Sequence, residues 1–188
     1  MKALRSRKKG KTETDATQGR KRKNKKRICF TEESIENIQN LLSHIMQTNL
    51  GKHLRMTYTL FGMTRQTQYS AQATGHLDTD RKGGKYLIIY PFSKTKEWHM
   101  LDFDTRRKLM GGHVGIGKKH LDKISQLLLY SFGIDDSEFI VSYETDDLSA
   151  FQNLVMELRG DKVREYTLKD TPIFTCIYKK PAEVLNFL

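Results

Sequence analysis

Residues 124–144 read ISQLLLYSFGIDDSEFIVSYE. Two largely apolar runs, ISQLLLYSF over 124–132 and EFIVSYE over 138–144, flank GIDDSE, a cluster of turn-forming residues. The stretch therefore reads as strand, turn, strand. Along the first run Gln126, Leu128 and Tyr130 alternate onto one face, so a polar amide points the same way as two large side chains. If that face is buried, the amide needs a partner, which could be a ligand or a neighbouring backbone group.

Outward from this pair, the chain before it reads as a strand over 85–93 and a helix from about Asp104 to Lys119. The chain after it reads as a helix over 147–159, with Leu148, Phe151, Leu154, Val155 and Leu158 on one face and Asp146 as its cap, and then a strand over 172–179. The order β-α-β-β-α-β is the ferredoxin-like α+β arrangement, in which two helices cover one face of a four-stranded antiparallel sheet. Residues 85–188 form one complete repeat of this kind. Upstream, Thr31 followed by two glutamates starts a helix whose Ile35, Ile38, Leu42 and Ile45 form an apolar face that must pack on something. Arg55 to Thr64 reads as a strand and 65–84 as a loop. Residues 28–84 are thus expected to be a first repeat, shortened at its beginning.

The formal charge of +11 is placed very unevenly. Residues 1–27 hold thirteen Lys or Arg against Glu13 and Asp15, which accounts for the whole excess. Residues 28–188 are neutral and carry no net electrostatic footprint for a nucleic acid. The tail has almost no large apolar residues after Leu4 and reads as disordered. Its KRKNKKR run at 21–27 could bind nucleic acid, an anionic membrane or an import receptor, or be a solubilising extension. No apolar segment suits a signal peptide or a bilayer span. Cys29 and Cys176 form neither a disulfide framework nor a zinc pattern, which suggests a reducing, cytoplasmic setting. The common hydrolase, phosphate-loop and zinc-protease motifs are absent.

Two places could carry chemistry. In IIYPFSKTKEW, residues 88–98, the period of a strand puts Tyr86, Ile88, Tyr90, Phe92 and Lys94 on one face. Tyr90 and Lys94 would stand roughly 13 Å apart, a spacing suited to a large flat ligand, although a half-buried aromatic and a solvated lysine would look the same. In GGHVGIG, residues 111–117, four glycines each cost roughly 1 kcal/mol inside a helix. Either a bulky group approaches the backbone beside His113, or the segment is a helix end and loop. Leu109, His113, Ile116 and His120 share a helical face, and an imidazole on an apolar wall is how an axial iron ligand is presented. A histidine hydrogen-bonded to a neighbour is the plainer alternative.

YPFSKTKEW, RRKLMGGHVGIGKK, YSFGIDDSEFIVSYETDDLSAFQNLVMELR and YTLKDTPIFTC, in this order, resemble the chlorite dismutase-like haem proteins over roughly residues 34–188. The resemblance implies two ferredoxin-like repeats forming a dimeric α+β barrel, assembly as a homopentamer, and an iron porphyrin bound in the second repeat. The family includes chlorite dismutases and the coproheme decarboxylases of haem biosynthesis. By resemblance His113 matches the proximal iron ligand, Tyr90 the catalytic tyrosine of the decarboxylases, and Lys94 their propionate-binding lysine. Lys118 is a further propionate candidate. Gln126 stands where chlorite dismutases carry a distal arginine, and glutamine there is similar to many coproheme decarboxylases. In GDKVREY neither Asp161 nor Glu165 aligns with the carboxylate that usually supports the histidine.

The implied activity is peroxide-dependent oxidative decarboxylation of iron coproporphyrin III (coproheme) to haem b, with Tyr90 as the radical that takes hydrogen from a propionate. Its partners would be coproheme and hydrogen peroxide. A chlorite dismutase or peroxidase activity is the alternative within the family. A non-enzymatic module binding nucleic acid or membrane through its tail is the alternative outside it.

Overall fold

The computed structural model describes residues 34–69, 83–180 and 183, so the basic tail and the expected cap at Thr31 lie outside the described residues. The chain divides into two compact units, residues 1–42 and 43–188. Helix α1, Ile35–Gln47, begins in the first and ends in the second. Ser34 caps it by accepting from the Asn37 N–H at 3.2 Å. It has no buried residue, and Ile35 of the expected apolar face is exposed. Gly51 follows in a short 3-10 turn, where a Cβ would collide with the Ile45 carbonyl.

The elements that follow are β1 (Tyr86–Lys94), α2 (Lys96–Met100), α3 (Phe103–Lys118), β2 (Ile124–Tyr130), β3 (Phe139–Thr145), α4 (Leu148–Arg159), β4 (Thr167–Lys169) and β5 (Phe174–Ile177). The sheet order is β2-β3-β1, with β5 beside Tyr86–Ile89 and β4 beside Ser93–Lys94 on the far edge of β1. All pairings are antiparallel. With β5 as the closing strand this is the expected ferredoxin-like α+β fold, but the sheet is open and does not close into a barrel.

The hairpin between β2 and β3 turns through Gly133, whose φ of 74° favours glycine. Asp135 holds the turn by accepting from the Ser137 N–H at 3.3 Å and, from outside it, from the Phe61 N–H at 2.8 Å. The register sets Tyr86, Ile88, Tyr90 and Phe92 across from Thr145, Tyr143, Val141 and Phe139. It sets Ile124, Gln126, Leu128 and Tyr130 across from the same four. Residues directly opposite share a face, so these form one side of the sheet. The core lies there: Ile88, Ile124, Val141 and Tyr143 pack with Ala150 and Leu154 of α4.

Three expectations are corrected. The cap of α4 is Asp147, which accepts from Ser149 and Ala150 N–H at 2.9 and 3.0 Å, while Asp146 accepts from the Lys85 N–H at 2.7 Å. Residues 55–64 form no strand beyond one bridge in which Met63 and Tyr130 exchange hydrogen bonds at 2.9 and 2.8 Å. They lie instead over the second sheet face: the Tyr58 ring is 5.4 Å from Phe174, and Gly62 sits against Leu129 and Ile140. The segment GGHVGIG is no helix end, because α3 runs unbroken to Lys118.

Candidate functional site

Helix α3 starts on Asp102, whose carboxylate accepts from the Thr105 N–H at 2.9 Å. Its Arg106, Leu109, Met110, His113, Val114, Ile116 and Gly117 are half-buried, yet no residue of α3 is buried outright. Ile116 reaches the core, whereas Gln126 is exposed on the very sheet face that the helices cover. Gln126 is thus open to solvent on a face that the helices cover elsewhere. Its amide has no need of a protein partner.

A Cβ at Gly111, Gly115 or Gly117 would meet nothing within 4 Å, and one at Gly112 would meet only Asp161 Oδ2 at 3.4 Å. Gly117 is one turn on from His113 on the same side, so the space beside the imidazole is unfilled. A cavity of about 460 Å³ on the flank of α3 is lined by Thr105, Lys108, Leu109, Gly112, Asp161 and Lys162.

His113 holds its Nδ1 buried without a hydrogen-bond partner. Burial first, and then the charge of Lys94, push its pKa down, while Asp161 acts in the opposite sense. The imidazole is thus neutral near pH 7, the state a metal requires. Asp161 is the carboxylate of GDKVREY nearest in effect, although its Oδ1 also accepts from the Val163 N–H at 2.7 Å.

Lys94 is the last residue of β1. The ladder of β1 with β4 shifts register between Ser93 and Lys94, and the ammonium lies 4.7 Å from the Trp98 ring and 6.0 Å from Phe92. Burial pushes its pKa down to about 8, against the pull of Glu138. Glu138 accepts from the Lys94 backbone N–H at 2.8 Å and pairs with His99 at 2.9 Å.

Tyr90 stacks on Tyr143, with ring centroids 6.1 Å apart and planes 28° from parallel. Tyr143 is 4% exposed, and burial pushes its phenol well above the ordinary tyrosine range. Burial also raises Tyr90, and a hydrogen bond from Tyr143 acts against that rise. Asp170, Arg159 and Arg164 act on the Tyr90 phenol as well. Asp170 Oδ2 accepts from both guanidinium groups, at 2.7 Å from Arg159 and 2.8 Å from Arg164. One carboxylate between two arginines leaves a net positive charge beside Tyr90.

Of the residues expected at the site, Lys94 acts by its charge on His113, and Gln126 stands across from Tyr143, on which Tyr90 stacks. Lys118 is exposed and, five residues on from His113, points roughly 140° away around the helix. Tyr143, Arg159, Arg164 and Asp170 were not singled out from sequence. Only the register places Tyr143 next to Tyr90, and only the return of the chain through β4 brings the arginines there. Among the described residues no cluster of three His, Cys, Asp or Glu could hold a metal by itself, and no helix is long and apolar enough to cross a membrane.

A ferredoxin-like α+β protein with a neutral, half-buried histidine on a glycine-rich helix is the class these observations define. The chain belongs to the chlorite dismutase family, whose sequence pattern matches residues 1–179. It is 24% identical over 144 residues to a coproheme decarboxylase of Mycolicibacterium smegmatis, covering 76% of this chain and 62% of that protein. It therefore spans less than two thirds of that relative's length. A solved structure of an arginine-to-lysine mutant of the chlorite dismutase from Candidatus Nitrospira defluvii is 29% identical, with a TM-score of 0.73 over 82% of this chain and 68% of that one. The same dismutase in complex with imidazole is 28% identical, with the same TM-score and coverage.

Proposed function

We propose that this chain binds iron coproporphyrin III beside α3 and decarboxylates it, with peroxide, to haem b. The observation that carries this reading is His113: a half-buried imidazole with an orphaned Nδ1, kept neutral by burial and by the nearby charge of Lys94. The donor set suits the group. His113 could ligate the iron, a Cβ that Gly117 lacks would meet nothing within 4 Å, and cationic side chains suit the carboxylates of such a group.

When bound, the iron porphyrin supplies the oxidising equivalents drawn from peroxide. The protein supplies placement, charge and a phenol. Lys94, held on Trp98, pairs with a propionate and fixes its direction. Arg159 and Arg164 add positive charge beside Tyr90, which favours a carboxylate in reach of that phenol. Tyr90 would lose its hydrogen to the first of the two oxidising equivalents and then take a hydrogen atom from the propionate β-carbon; the second equivalent would take the electron left there, so that carbon dioxide leaves and a vinyl group remains. Tyr143 donates a hydrogen bond to the Tyr90 oxygen and steadies it. Asp161 is the carboxylate placed to orient His113.

The likeness to chlorite dismutases favours a second reading, chlorite turnover at the same site. Gln126 separates the two, because an uncharged amide holds an oxyanion less firmly than a fixed guanidinium would. In this reading the chain assembles as a homo-oligomer. Leu168, Ile173, Ile177 and Tyr178 along β4 and β5 are at least half exposed, the kind of surface that assembly covers.

The test adds iron coproporphyrin III to purified protein, follows the Soret band, titrates peroxide and reads the product by mass spectrometry. Stepwise loss of two carboxyl groups is expected, and none in Tyr90→Phe. Binding without decarboxylation removes the proposed reaction; absence of binding removes the proposed ligand.

A further inference from the structure

Arg106 carries a polar atom for which the protein offers no use. Its Nε is buried without a hydrogen-bond partner, like the Nδ1 of His113. The two residues are seven apart on α3, so they point within roughly 20° of one another and lie about 10 Å apart along the axis. Two orphaned polar groups thus face the same side of one helix.

Carboxylates near Arg106 in the chain are already engaged. Asp102 accepts from the N–H and hydroxyl of Thr105 at 2.9 and 2.7 Å, and Asp104 pairs with Arg107 at 3.0 Å. Arg159 and Arg164 share Asp170, and Glu157 is taken by His120 and Lys119. Among the described residues Arg106 forms no hydrogen bond or ion pair through its guanidinium. Burying such a group unpaired is costly, and an acceptor that completes it recovers that cost.

The topology fixes which end of β1 it lies near. Helix α3 follows β1 by way of α2 and runs back toward the start of β2, so its first half lies at the Lys94 end of β1. Arg106 then lies on the half of α3 nearer the end of β1 that carries Lys94. The planar guanidinium fork matches a carboxylate in two parallel bonds.

We infer that Arg106 is an anion-binding residue, holding a carboxylate of the same porphyrin whose metal His113 takes. This rests on the porphyrin reading above and adds to it a residue that selects for an acidic ligand edge. Arg106 positions the ligand and takes no part in hydrogen transfer.

The experiment measures dissociation constants by Soret titration for wild type, Arg106→Met and Arg106→Lys. The ligands are iron coproporphyrin III and its tetra-amide, in which every carboxylate is neutral. Arg106→Met is expected to weaken the free acid about tenfold or more, to leave the tetra-amide unchanged, and to be partly rescued by Arg106→Lys. Because Arg106 has no partner in the unliganded fold, ligand-free Arg106→Met is expected to melt no lower than wild type. Free-acid binding equal to wild type in Arg106→Met overturns the inference alone. So does equal weakening of acid and amide, or a melting point several degrees lower, since either marks a structural role. Wild type that takes neither ligand overturns the porphyrin reading itself, and this inference with it.

Discussion

Tyr90 and Tyr143 are diagonal neighbours across the β1–β3 ladder, and their rings stack at 6.1 Å. The buried phenol of Tyr143 donates toward Tyr90 and lowers a pKa that burial raises. Tyr143→Phe keeps the ring and removes the donor, so the Tyr90 phenol is expected to titrate at higher pH. Ultraviolet difference titration of this variant against Tyr90→Phe checks it; an unmoved Tyr90 transition contradicts the assigned direction of the bond.

Lys94 makes a second prediction, in stability. Its folded pKa of about 8 lies below the ordinary 10.5, so between those values the unfolded chain binds more protons and stability rises with pH. Below about pH 8 the full penalty of a buried ammonium is present. A shift of this size corresponds to roughly 3 kcal/mol, a ceiling that residual solvent access lowers. Lys94→Met is expected to melt higher than wild type at pH 7 without ligand, and to show a flatter stability profile from pH 8 to 10.5. In the same variant, affinity for iron coproporphyrin III is expected to fall.

Asp170 is the single acceptor for Arg159 and Arg164. Asp170→Asn leaves two guanidinium groups facing each other with a neutral amide between them. A loss of about 2 kcal/mol is expected in denaturant unfolding at low salt, shrinking as salt screens the arginines.

Gln126→Arg places a cation on the sheet face that Gln126 leaves open to solvent. Chlorite turnover by the porphyrin-loaded protein is expected to rise from a low wild-type level. High chlorite turnover in the wild type would falsify the decarboxylase preference.

Much of this was legible in the chain. The alternation in ISQLLLYSF put Gln126 with Leu128 and Tyr130, and the period of β1 put Tyr90 with Ile88 and Phe92; the register confirms both groupings. Helix α3 was legible despite its glycines because the apolar spacing from Leu109 to His120 runs through them. Residues 55–64 misled because strand-forming residue types do not by themselves supply a partner strand, and Met56, Tyr58 and Met63 stay exposed. β4 has three residues, too few for a period. The Asp170 cluster unites residues from α4, the 162–166 turn and the loop after β4, a closure that no local pattern encodes. The register shift at Lys94 is likewise something that composition cannot announce.

Helix α3 has four glycines and not one buried side chain. Its backbone bonds are therefore supported by little more than themselves, and short helices in water are marginal. In the ligand-free protein its amides exchange with solvent by local opening, well before β1 and β3, whose Ile88 and Ile140 are almost fully buried. A ligand that packs against it slows that exchange along the helix while leaving the sheet as it was.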